Sequence, residues 1–136
     1  MWTISSDTCA TGRLSPPDNV AYDDGYREFV YRQPRDAAEL GAVMSAESEE
    51  VFACYRFDGL ERWTSGSVAA WHEDSVVGLG YARHALTTTT GDPEIQESLS
   101  AYVAYLESEE FTQYIGALRR HLELLGRPGR VTMRRV

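Results

Sequence analysis

The stretch from Asp92 to Gly126 constrains this chain most, because it carries the start and stop signals of two consecutive amphipathic helices. Asp92-Pro93 sets an N-cap before proline at the first helical position, where a missing amide costs nothing, and Glu94 suits the positive helix end. Ile95, Leu99, Tyr102, Val103 and Leu106 then share one face. Ser108 caps the second helix, and Phe111, Ile115, Leu118, Leu122 and Leu125 recur at steps of four and three. Arg119, Arg120 and His121 lie toward its negative end, and Gly126 closes it. A break of only a residue or two predicts an angled helix pair or one kinked helix.

Upstream the pattern changes. Residues 1–25 read as an N-terminal arm: Met1–Ile4 suits a short strand, whereas Gly12, Pro16, Pro17 and Asp23-Asp24-Gly25 are turn chemistry. Tyr26–Arg32 has strand content and stops before Pro34. Asp36 caps a helix to about Glu49, with Ala38, Leu40, Val43 and Met44 as its apolar stripe. Val51–Asp58 predicts the next strand, followed by turns at Gly59 and Ser65-Gly66. Residues 67–86 read as a hairpin turning near His72–Ser75, in which Gly78 and Gly80 weaken the second strand or mark a place where another backbone or a ligand comes close. A last strand follows over Arg130–Val136. The expected fold is α+β: a small mixed sheet with a β-hairpin, packed against one N-terminal helix and a C-terminal helix pair, forming a single domain over 26–136.

Length and composition agree. The 136 residues suit one core, and 43% apolar content is enough to build it. Cys9 and Cys54 fit no metal or redox spacing, which favours a reduced, cytoplasmic setting, and Cys54 reads as a small buried group. No signal segment or membrane-spanning run is expected. A formal net charge of −8 argues against a general nucleic-acid binder. All thirteen basic residues are Arg, and six of them fall in 119–136 against the single acid Glu123. That basic end either pairs with the acidic body or docks on a partner or anionic ligand.

Three constellations suggest functions. On an extended segment His72 and Asp74 point the same way, so with His121 they would make a two-His-one-carboxylate Fe(II) site. Arg130 would then hold a carboxylate in a bidentate pair. The pattern resembles the Fe(II)/2-oxoglutarate oxygenases, whose core carries H-x-D, a later His and an Arg about ten residues beyond. The resemblance implies iron and 2-oxoglutarate as cofactors and hydroxylation of a small molecule or peptide. His121, however, falls in a predicted helix, where that family uses a core strand. The helix 100–126 followed by RVTMRRV is also similar to the region upstream of the core in prolyl-hydroxylase-type members. On that reading the chain is a partial subunit, joined to a partner through its Arg-rich C-terminal strand, and its metal ligands lie elsewhere.

The order of strand 26–32, the helix from Asp36 and a hairpin with Val77-Gly78 resembles the N-terminal half of GNAT-type acyltransferases. The R-x-x-G-x-G/A loop that would bind pyrophosphate does not follow, so only a degenerate domain is implied. The length and the −8 charge also suit a small acidic protein-binding module without catalytic activity, as immunity and antitoxin proteins are. The Trp and Tyr side chains then line either a pocket or the core.

Overall fold

The computed structural model describes residues 2–3, 11–49 and 54–127. In chain order these form β1 (Trp2–Thr3), β2 (Val20–Tyr22), β3 (Glu28–Val30), α1 (Ala37–Glu49), β4 (Tyr55–Arg56), α2 (Gly59–Arg62), α3 (Ser65–Thr88), α4 (Pro93–Leu106) and α5 (Glu109–Leu124). The fold is α+β, with β2–β3 and β1–β4 as two antiparallel pairs.

The C-terminal helices form as their caps dictate. Asp92 accepts the amides of Glu94 and Ile95, and Ser108 accepts that of Phe111. Beyond Leu125, Gly126 adopts φ +71, which lets Arg127 N–H reach Leu122 O and Gly126 N–H reach Glu123 O, closing the helix in a Schellman motif. The Arg127 guanidinium then donates to the carbonyls of Leu60 and Glu61, tying the end of α5 to α2.

The largest departure from the sequence reading is 65–88. The expected hairpin over 67–86 is one 24-residue helix, begun by a capping box in which Thr64 and Ser67 satisfy each other's amides. Its inward positions include Val68, Ser75, Gly78, Ala82 and Ala85, a helical period muted by small side chains. Those small residues let α3 lie close on α4. A β-carbon at Gly78 would stand 2.9 Å from the Tyr102 hydroxyl. What approaches Gly78 is a tyrosine side chain rather than the backbone or ligand expected beside a strand, and Gly80 faces open space. Without that hairpin, the strand–helix–hairpin order behind the GNAT resemblance is also gone.

The N-terminal arm needs correcting too. Val20, Ala21 and Tyr22 are fully buried, because β2 pairs with β3 and rests on α4. Tyr22 N–H donates to Ser98 Oγ at 2.5 Å across that contact. In the β2–β3 turn Asp23 accepts the amides of Gly25 and Arg27, while Tyr26 sits at φ 61 and its hydroxyl donates to Asp92. On the other side of the hairpin, α1 buries Val43 and Ala46 against Val20, Cys54 and Tyr55. The rest of its expected stripe, Ala38, Leu40 and Met44, faces solvent. The expected strand Val51–Asp58 is described only from residue 54, where β4 occupies Tyr55–Arg56. The strand Arg130–Val136 lies outside the described residues.

Two carboxylates give the fold an acid-sensitive side. Hydrogen bonds from Arg35, chiefly its side chain, and from Asn19 hold Glu39 at about 2, below the ordinary glutamate value. The Tyr26 hydroxyl and the Ile95 amide hold Asp92 below the usual aspartate value. In each case the unfolded chain takes up the proton first as pH falls. Their stabilisation is therefore complete above the ordinary carboxylate range and lost as pH drops through it, for Glu39 toward about 2. The urea midpoint should fall between pH 6 and pH 3, and Glu39→Gln should flatten that fall; an unchanged slope in the variant would contradict the assignment.

Candidate functional site

The residues expected to bind metal do not converge. Both His72 and Asp74 lie on α3, where two residues subtend about 200° around the axis, so their side chains diverge. The His72 ring is half-buried against Phe111 at a centroid distance of 5.6 Å, and Asp74 is exposed. His121 is exposed in the last turn of α5, ten residues beyond Phe111 and so roughly 15 Å along the axis. Arg130 lies outside the described residues. Among the described residues no three His, Cys, Asp or Glu side chains are grouped to hold a metal ion. The donor set of the oxygenase resemblance therefore does not fit the iron it implies, because a helix has replaced the extended segment.

A different site forms at the other face of the Phe111 cluster. The end of β3, the start of α3, the end of α4 and the middle of α5 enclose a half-open cleft of 380 Å³. Its walls include Tyr31, Trp63, Trp71, Tyr105 and Tyr114. Trp63 and Trp71 stack at 6.4 Å with planes 29° apart, and Trp71 is 43% exposed at the rim. Tyr31 packs edge-on against Tyr105 at 5.7 Å. Phe111 backs the cleft, meeting Trp71 at 5.8 Å and Tyr105 at 5.4 Å, both edge to face. Edge-to-face packing aligns the positive ring rim with a negative ring face and fixes the orientation of the wall.

The phenols are the polar feature of this cleft. Burial raises Tyr31 and Tyr105, and it pushes Tyr114 up to about 12, so all three stay protonated at neutral pH. Among the described residues none of the three hydroxyls has a hydrogen-bond partner. No carboxylate or guanidinium lines the cleft itself.

Charge gathers at its ends. A groove of 430 Å³ shares Tyr105 and Tyr114 with the cleft and adds Arg32, Arg35 and Glu110. Arg32 stands 3.6 Å from Glu39 and 3.9 Å from both Asp18 and Glu110, and its Nε and Nη2 are buried without hydrogen bonds. Arg35 pairs with Glu39. A second groove, of 540 Å³, shares Trp63 and continues past Leu40, Phe57 and Leu60, whose side chains are exposed. Gln33 borders all three depressions.

Around this site the described ion pairs occupy most of the arginines: Arg13 with Glu97, Arg27 with Asp23, Arg62 with Asp58, Arg83 with Glu107, and Arg32 and Arg35 as above. Arg119 and Arg127 bond to Ser65 and to backbone carbonyls. The exposed Glu61, Glu73, Asp74, Glu94 and Glu109 have no ion pair among the described residues. Among the described residues the exposed charge without an ion pair is thus mainly negative, Arg120 being a positive exception. The five cleft rings come from separate elements at irregular spacing, so no local pattern announces them; a surplus of Trp and Tyr was the only sequence signal.

No family model, curated protein or solved structure matches the chain. Among the described residues no helix is long and apolar enough to cross a membrane.

Proposed function

We propose that this chain is a small acidic recognition module that binds a basic partner protein. The observation that carries the reading is the pairing of an aromatic cleft, whose phenols are unpartnered, with exposed carboxylates that no described arginine neutralises. Aromatic side chains supply rigid contact area at low entropic cost, which is why they concentrate in binding hot spots. Unpaired like charges on the surface repel one another, and a basic partner relieves that repulsion while steering encounter. The helix geometry of His72 and Asp74 gives an oxygenase reading no such support.

The test is selection of random dodecapeptides on the immobilised protein, followed by titration of the recovered sequences. Enriched peptides should be net positive, and their affinity should weaken about tenfold or more between 50 and 500 mM salt, since exposed charges are screened beyond a few ångströms at the higher value. Neutral or acidic peptides binding independently of salt would sink the reading.

A further inference from the structure

We infer that the aromatic cleft seats a guanidinium, the side chain of an arginine presented by the partner. This rests on the reading above and adds the chemistry that the cleft selects. A guanidinium is a flat, weakly hydrated cation with five N–H donors and no acceptor, and it stacks on aromatic faces. The cleft matches each property. Half of its lining residues are Trp and Tyr, whose ring faces attract cations. The phenol oxygens of Tyr31, Tyr105 and Tyr114 are unpartnered acceptors among the described residues. A hydrocarbon occupant would cover those hydroxyls without bonding them, which is unfavourable.

Glu110 completes the match. It lines the groove that continues from Tyr105 and Tyr114, its side chain is 46% exposed, and its contact with Arg32 at 3.9 Å is too long for a hydrogen bond. A cation in the cleft therefore has a carboxylate in the adjoining groove, across the shared Tyr105 and Tyr114. The charge cluster that Glu110 joins holds two guanidiniums, Arg32 and Arg35, and three carboxylates, Asp18, Glu39 and Glu110, so one negative charge remains over. An ammonium is a compact, strongly hydrated charge and gains less from rings than a guanidinium does.

Two-dimensional NMR of the full chain, following the indole N–H signals of Trp63 and Trp71, tests this directly. N-acetyl-arginine methylamide should shift both signals saturably, and its uncharged citrulline counterpart should bind about tenfold more weakly or worse. Trp71→Ala should lose about tenfold in affinity while Trp71→Phe stays within about threefold, and Glu110→Gln should weaken binding severalfold. Equal binding by the citrulline compound would make this a pocket for neutral ligands. Sodium acetate moving the same signals would place an anion on Arg32 instead. No shift with any compound would mean the cleft is not a binding site; each of these results overturns the inference. In the selected peptides, arginine-to-lysine replacements that leave affinity unchanged would remove the guanidinium seat but keep the basic partner. Selection of non-basic peptides would remove the partner reading, and the titration of the isolated arginine compound would still decide the cleft.

Discussion

Phe111→Ala is expected to lower stability by about 3–5 kcal/mol, the usual cost of deleting a buried aromatic ring. Phe111 is 2% exposed in the first turn of α5, where its ring meets Trp71, His72 and Tyr105. Removing it leaves a cavity between α3, α4 and α5 that rigid helices close only in part. At this chain length the melting temperature should drop by roughly 10 °C or more. Thermal melts followed by far-UV circular dichroism measure this directly. A change below about 1 kcal/mol would mean that the three rings do not rest on Phe111. The same variant should loosen the cleft, since Phe111 holds Trp71 and Tyr105 in place.

Gly12→Ala is expected to be nearly as damaging, for a steric reason. Glu28 is buried on β3, accepting the Gly12 amide through Oε2 at 2.8 Å and the Tyr55 hydroxyl through Oε1 at 3.3 Å. A β-carbon on Gly12 would stand 2.1 Å from Oε2 and 2.6 Å from Oε1. The carboxyl group must move, and both hydrogen bonds to this buried side chain weaken together, at about 1–3 kcal/mol each. A loss of about 3 kcal/mol in the urea-derived stability is expected. The double variant Gly12→Ala/Glu28→Gln should cost less than the two single changes added together, because they disturb one contact. Strict additivity would count against it.

The sequence revealed most where caps and side-chain period agreed. The limits of α4 and α5 were legible from Asp92-Pro93, Ser108 and Gly126, and α1 from Asp36. Strand β3 lies inside the expected 26–32, and β1 inside 1–4. Helix α3 was hidden because its inward face is built from Ser, Gly and Ala, so Val76, Val77, Trp71 and Tyr81 dominated the apolar signal from the exposed face. Thr64 and Ser67 were the local evidence for a helix start, and the reading put a turn there instead. That one substitution of helix for hairpin also separated His72 from Asp74. Strand β2 was missed because burial of Val20–Tyr22 comes from Ser98 and β3, which are distant or later in the chain. The cleft depends on tertiary placement of five rings, which short-range spacing does not encode.

The link from Tyr31 to Asp36 carries the chain from one face of the hairpin, which rests on α4, to α1 on the other. Gln33, midway along this link, borders the cleft and both grooves. A move of the Gln33 side chain would therefore reshape one wall of the cleft and of each groove at once.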